Sequence, residues 1–113
     1  MHSSKPIEFV GDSLDALRRF PEVARRRAGY QLDRLQQGLE PNDWKPMSSI
    51  GAGVREIRIR EERGAFRVVY VTKFGETAVY VLHCFQKKTQ KTSSTDIEIA
   101  TRRYREVQKE HGS

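Results

Sequence analysis

The stretch "TAVYVLHCFQKKTQKT", residues 77–92, joins an apolar segment to a lysine-rich one. Its first half is apolar at consecutive positions, which is typical of a strand buried on both faces. Its second half carries Lys87, Lys88 and Lys91 directly behind that strand. Because a strand holds the side chains at its end rigidly, we expect these lysines at the border of a face that the strand helps to build.

Two further strands are predicted upstream of this segment. Residues 54–60, "VREIRIR", alternate in polarity, and residues 65–72, "AFRVVYVT", are rich in β-branched and aromatic side chains. The connections "EERG" and "KFGE" are short, polar and contain Gly, which is typical of hairpins. We therefore expect an antiparallel meander of three strands, with residues 77–85 as a central strand.

Helical periodicity occurs on both sides of the meander. Asp12 is a good N-cap for a first helix, and Pro21 suits the start of a second. Thr95 and Glu98 have the spacing of a capping box before a third helix. The two longer helices are each predicted from one apolar stripe, formed by Ala24, Ala28, Leu32, Leu35 and Leu39 in the second and by Ile97, Ala100, Tyr104 and Val107 in the third.

The remaining segments complete the fold prediction. Residues 7–10 form a short strand, and residues 40–53 are a loop that Trp44 anchors on the core. The element order is therefore β-α-α-β-β-β-α, an α+β fold with two helices before the meander and one after it. We expect residues 1–113 to form a single domain, because a chain of this length has one core.

The charge balance favours a polyanionic partner. The chain has 21 Lys and Arg against 15 Asp and Glu, a net charge of +6 and a pI near 9.8. This excess indicates nucleic acid, an acidic protein or an anionic surface without choosing among them. Cys84 is the only cysteine, so no intrachain disulfide forms, and Cys84 itself is expected to be a buried small hydrophobe. No membrane span or signal peptide is evident, and we expect a cytoplasmic protein without metal or other cofactor.

Basic side chains from separate segments are expected to meet on one face of the sheet. Arg58 and Arg60 alternate with the isoleucines of the same strand. If the isoleucines bury against the two early helices, the arginines project to the other side, beside Arg67 and the lysines. Such a basic concavity suits phosphates, and side chains such as Gln86 and Gln90 can bond to sugar or base edges.

The segments "GVREIRIR", "GAFRVVY" and "VYVLHCFQKKTQKT" make the chain resemble the RelE/ParE toxin superfamily, and in particular its phage-derived, HigB-like branch. The resemblance covers nearly the whole chain, and the element order agrees with the one above. It implies a RelE-like domain that is the toxin of a type II toxin–antitoxin system. Such a toxin is a metal-independent endoribonuclease that cuts mRNA, often on the ribosome, and its partner is a helix-turn-helix antitoxin.

The resemblance and the chemistry of the side chains together suggest roles for individual residues. Arg67 matches the arginine that stabilises the scissile phosphate, with Arg58 assisting it. His83 is either a general base, since its ordinary pKa suits proton transfer, or a structural residue of its strand. The expected catalytic residues are Arg67, Arg58, His83 and Lys87. The expected RNA-binding residues are Arg60, Lys88, Lys91, Gln86 and Gln90.

Some alternatives stay open from the sequence. RelE-type toxins carry a tyrosine after the basic pair that closes the last strand, whereas this chain has "TQKTSSTD" there, so the general base is not identified. Glu56, on the expected basic face, either tunes an arginine or acts as a base. A ParE-like inhibitor of DNA gyrase acting by protein contact, or a non-catalytic basic RNA-binding module, are the other two functional hypotheses.

Overall fold

The computed structural model describes residues 4–72 and 78–111. Within these residues, five strands form one sheet, and three helices pack against it. The strands are β1 (Ile7–Phe9), β2 (Trp44–Pro46), β3 (Val54–Glu61), β4 (Gly64–Val71) and β5 (Val79–Lys87). The helices are α1 (Ser13–Arg18), α2 (Glu22–Gln36) and α3 (Ser94–Glu110). None of the helices in the described ranges is long and apolar enough to cross a bilayer.

The sheet has the strand order β1-β5-β4-β3-β2. The predicted meander is confirmed, since β3, β4 and β5 pair antiparallel, and β5 is central between β4 and a parallel β1. The predicted turn "KFGE" lies outside the described residues. The β3–β4 turn requires Gly64, because its φ of 138° is accessible to glycine and rare for other residues. The expected loop over residues 40–53 contains the short strand β2, which pairs with β3.

Two apolar cores lie on opposite faces of the sheet. On one face, α1 and α2 cover the isoleucines of β3, and on the other, α3 covers the valines at the far end of the same strands. Tyr104 is buried in the α3 core, as expected. Cys84 is also buried as expected, and this burial raises the pKa of its thiol to about 12. The basic strand positions therefore share a face with α3.

A bulge in β5 shifts the phase of its side chains. Val81 and His83 lie opposite consecutive β4 residues, Tyr70 and Val69, so Leu82 is an extra residue. Leu82 packs in the α3 core, like Tyr80 before it. After the bulge, the odd-numbered residues of β5 face α3 instead of the even-numbered ones. The residues of β5 that follow on the α3 face are His83, Phe85 and Lys87.

Two local predictions were wrong, and one holds in position only. Leu39 is 48% exposed, because α2 ends at Gln36 and the apolar stripe does not extend beyond it. Asp12 is the N-cap residue of α1, as predicted, but its side chain makes no capping bond, and its carboxylate instead accepts from Arg103 at 2.7 Å. The cap of α3 is Ser93 rather than Thr95, since Ser93 Oγ accepts from the backbone N–H of Asp96 at 3.1 Å.

Candidate functional site

The antiparallel register brings basic residues of three strands to one end of the sheet. Arg58 on β3 lies opposite Arg67 on β4, and Arg60 lies opposite Ala65, which in turn lies opposite Lys87 on β5. Directly opposed residues project to the same face. Because α3 covers the other end of this face, the side chains of Arg58, Arg60 and Lys87 are left facing open space.

These side chains enclose a hollow of about 320 Å³. Its lining consists of Arg58, Arg60, Ala65, Arg67, Lys87, Thr89 and Gln90. Ala65 lies on the middle strand between Arg60 and Lys87, and because its side chain is small, the hollow is deep at this point. We call this space the basic hollow.

Arg67 forms the floor of the basic hollow and is almost completely buried, with 1% of its surface exposed. Its Nε lies 3.4 Å from Oε1 of the fully buried Glu56, and its Nη1 donates to the carbonyl of Phe66 at 3.0 Å. Thr92 Oγ1 donates to the other carboxylate oxygen of Glu56 at 2.8 Å. Burial lowers the pKa of Arg67, and so do the charges of nearby arginines, whereas Glu56 raises it. Arginine nevertheless stays protonated in proteins, so the floor carries a fixed positive charge.

Lys87 stands at the wall of the basic hollow contributed by β5. Partial burial lowers the pKa of its ammonium, and the charges of Arg67, Lys45 and Arg58 lower it further, whereas Glu56 opposes them. An ammonium in this environment gives up its proton more readily than one on an exposed lysine. Lys87 therefore combines a positive charge with a proton that is comparatively easy to transfer.

The charge of the basic hollow is largely uncompensated. Within residues 4–72 and 78–111, Arg67 has an ion-pair partner, whereas Arg58, Arg60 and Lys87 have none within 4.0 Å. Fixed cations that lack carboxylate partners form a binding site for an anion of matching size. The hollow is therefore suited to a phosphate group and disfavours a cationic ligand.

His83 does not line the basic hollow. Its ring is buried beside Phe85, with centroids 5.0 Å apart, and its Nε2 is bonded to Asp96 Oδ1 at 2.7 Å. This contact ties β5 to the first turn of α3, so the geometry favours the structural role for His83 and gives no support to the general base. Among the described residues, no group of three or more His, Cys, Asp or Glu side chains is arranged to hold a metal ion.

The other predicted RNA-binding residues fall in different places. Gln90 lines the basic hollow, and Lys88 lines an adjoining recess of about 190 Å³ that shares Lys87 with it. Lys91 is exposed and lines neither space. Gln86 lies opposite Phe66 on the other face of the sheet, and its amide donates to the carbonyl of Arg63. The structure therefore brings together Arg58, Arg60, Arg67, Lys87 and Gln90.

Sequence reasoning missed three residues in and around this site. Ala65 lines the floor of the hollow with a small side chain. The charge of Lys45, on the edge strand β2, lowers the pKa of Lys87. Asp96 is hydrogen-bonded to His83. The hairpin register would have revealed Ala65, since the "EERG" turn fixes the residue opposite Arg60. Lys45 and Asp96 carry no comparable signal, because their positions depend on how distant segments dock on the sheet.

Comparisons with known proteins agree with this architecture. A family model described as phage derived protein Gp49-like (DUF891) matches residues 15–105. The chain therefore belongs to this phage-derived family. Among solved structures, it is similar to E. coli toxin RelE in the free state, in a variant with two arginines replaced by alanine. The TM-score is 0.63 at 14% identity, covering 92% of this chain and 98% of that one. A search of curated proteins found no match.

The comparison confirms the RelE-like α+β fold that the sequence predicted. It also confirms the expected phage-derived family. At this level of identity the structural similarity defines the fold, and the activity has to be argued from the side chains of this chain.

Proposed function

We propose that the chain is the toxin of a type II toxin–antitoxin system and that it acts as a metal-independent endoribonuclease on mRNA. The observation that carries the proposal is the basic hollow, in which three cations that have no ion-pair partner among the described residues surround the buried Arg67. Fixed guanidinium and ammonium groups around one point suit a phosphodiester in the course of reaction. The RelE-like fold and the phage-derived family support the same assignment.

The reaction uses the nucleophile that RNA itself contains. The ribose 2′ oxygen attacks the adjacent phosphorus and loses its proton, while the bond from phosphorus to the 5′ oxygen breaks and that oxygen gains a proton. The products are a 2′,3′-cyclic phosphate and a 5′-hydroxyl. Arg67 and Arg58 are proposed to stabilise the negative charge that builds on the phosphoryl oxygens. Losing one such donor costs about 2.7–4 kcal/mol of transition-state stabilisation.

Lys87 is proposed to supply the proton that the leaving 5′ oxygen needs. Its lowered pKa supports this role, because a general acid works best when its pKa approaches the working pH. The RNA strand on either side of the reacting phosphate is proposed to be held by Arg60, Lys88, Lys91 and Gln90. Gln86 is not included, since its amide is bonded to the hairpin on the other face.

The biological setting follows from the resemblance to RelE-type toxins. We propose that the protein acts in the cytoplasm, that it cuts mRNA on the ribosome, and that a helix-turn-helix antitoxin of the HigB-associated kind neutralises it. The net charge of +6 fits both an RNA substrate and a partner with an acidic contact surface.

Induced expression of wild-type and variant chains tests the activity. The wild type should arrest growth, and mapped mRNA fragments should carry 5′-hydroxyl ends. Arg58→Ala and Lys87→Ala should abolish both effects without unfolding the protein, because neither side chain has an ion-pair partner among the described residues. Arg105→Ala on the exposed side of α3 removes the same charge and should behave as wild type.

Three results would contradict the proposal. Growth arrest that is unchanged in Arg58→Ala and Lys87→Ala would mean that the basic hollow is not the active site. Intact mRNA together with blocked supercoiling by DNA gyrase would instead indicate a ParE-like inhibitor. RNA binding without cleavage, both on and off ribosomes, would indicate a non-catalytic module.

A further inference from the structure

A second and larger concavity, of about 490 Å³, lies between α2 and β3. Its lining includes two arginines of α2, Arg26 and Arg27, and the exposed ring of Tyr30. Asn42 and Asp43 contribute from the segment that precedes β2. The volume falls within the range of about 300–1,000 Å³ that is usual for ligand sites. We call this space the edge groove.

The edge groove exists because β3 is longer than its neighbour β2. Pairing with β2 ends at Ile57, so the remainder of β3 is an open edge of the sheet. Two bonds hold the walls there: the backbone N–H of Arg58 donates to the carbonyl of Asp43 at 2.9 Å, and Arg27 Nη1 donates to the carbonyl of Arg60. Rigid walls on both sides make this a formed site, since no segment has to move to open it.

The edge groove and the basic hollow adjoin at the open edge of β3. Arg58 and Arg60 line both spaces, the groove on the α2 side of this edge and the hollow on the α3 side. The charge of Asp43, in the groove, also acts on Arg67 at the floor of the hollow. A single RNA strand whose phosphate occupies the hollow would therefore enter the groove with a neighbouring nucleotide.

The side chains of the edge groove match a nucleobase. Tyr30 is 56% exposed and offers an aromatic surface on which a base can stack. The Asp43 carboxylate has no ion-pair partner among the described residues, so it remains an acceptor for an N–H donor. Gln31 Oε1 already accepts from the backbone of Asn42 at 2.8 Å, which fixes the polar end of the groove.

We propose that the edge groove binds the base of a nucleotide adjacent to the scissile phosphate and selects bases that carry an exocyclic amino group. The inference rests on the proposed ribonuclease function. An amino group donates to the Asp43 carboxylate, whereas uracil presents a carbonyl oxygen in its place, which repels the carboxylate and leaves the uracil N3–H as the single donor on that edge. Tyr30 contributes stacking that does not discriminate among bases, and Arg26 binds the phosphate of the bound nucleotide.

Cleavage of RNA of varied sequence by the purified protein, on ribosomes and free in solution, tests the assignment. Wild-type cuts should be depleted of uracil at one position next to the cut, and Asp43→Asn should abolish that depletion. Tyr30→Ala should weaken binding of a short oligonucleotide by about 5- to 100-fold, as expected for loss of one stacked base. Asp15→Asn, which removes one negative charge from α1 outside both spaces, should change neither measurement.

The outcomes separate this inference from the function on which it rests. If the wild type cuts RNA and both variants keep its base preference and affinity, the inference is overturned while the ribonuclease stands. If the wild type cuts nothing, the inference is tested by binding of an oligonucleotide that lacks the reactive 2′-hydroxyl. The site would be supported if this oligonucleotide shifts the NMR signals of the Tyr30 ring and if Asp43→Asn loses the shift caused by amino-bearing bases. Unshifted Tyr30 signals in the wild type would overturn it. Variants that weaken an acidic protein partner and leave RNA binding intact would overturn it in favour of a protein surface.

Discussion

Replacing Glu56 by Gln tests how much the fold depends on the charge pair beneath the basic hollow. Glutamine keeps nearly the same volume and still accepts the bond from Thr92. It removes the negative charge that lies 3.4 Å from Arg67 Nε, and its amide adds an N–H facing that donor. Glu56→Gln therefore changes mainly the electrostatic environment of Arg67.

The expected loss of unfolding free energy is about 3 kcal/mol, which is the lower end for breaking a buried ion pair by removing one partner. We take the lower end because the basic hollow admits water next to Arg67. For a domain of this size, the loss corresponds to a melting temperature lower by roughly 12 °C. The exposed pair of Arg55 and Glu40, at 3.1 Å and with side chains 36% and 63% exposed, provides the control. Glu40→Gln should cost about 0–1 kcal/mol.

Urea unfolding of the purified variants measures both values, and the slope of free energy against urea should stay constant if only stability changes. A double-mutant cycle with Arg67→Met then isolates the pair. Because the double variant buries no unpaired charge, it should be more stable than the sum of the single losses by about 2–3 kcal/mol. Equal, small losses for Glu56→Gln and Glu40→Gln, or additivity in the cycle, would refute the reasoning.

The remaining predictions concern a close packing contact, the floor of the hollow and two titrating groups. Gly51→Ala should cost about 1–3 kcal/mol because an added Cβ would overlap the Tyr104 ring. Gly29→Ala, with open space around the site, should instead stabilise α2 by about 0.5–1 kcal/mol, and urea unfolding compares the two. Ala65→Leu should fill the basic hollow and abolish RNA binding in fluorescence anisotropy while the protein still melts cooperatively. Cleavage should decline as pH rises through the lowered pKa of Lys87, and a pH–rate profile that declines only at the pKa of an exposed lysine would contradict its role as general acid. The hydrogen bond from Arg103, together with its charge, lowers the pKa of Asp12, so this pair stabilises the fold above about pH 4 and the contribution is lost as pH falls through the folded pKa. The stability difference between wild type and Asp12→Asn should therefore vanish in acid, as followed by thermal melts.

The meander and the long helices could be predicted because each follows from a local pattern. Alternation along β3 separates Ile57 from Arg58, and the apolar run of β5 requires cover on both faces, so the sheet faces and the central strand are readable from the chain itself. In β4, Arg67 alternates with Phe66, Val68 and Tyr70, so the predicted β3–β4 hairpin brings it to the same side as Arg58 and Arg60.

The features that escaped prediction depend on segments distant in sequence. β2 is three residues long, contains Pro46 and lies within a loop composition, so it exists only because β3 offers it an edge. The contact that ties His83 to α3 forms because Asp96, distant in sequence, reaches it. The edge groove likewise requires α2 to dock at a fixed distance from β3, which no pattern within either element specifies.

The extra residue in β5 also decides which side chain this strand contributes to the site. Without Leu82 as an insertion, alternation counted from Tyr80 would place Gln86 opposite Ala65 and turn Lys87 to the other face of the sheet. His83 would turn away from α3 in the same way and lose its contact with Asp96. One irregular position therefore couples the attachment of the last helix to the charge of the hollow, and a variant that straightens β5 should lose both together.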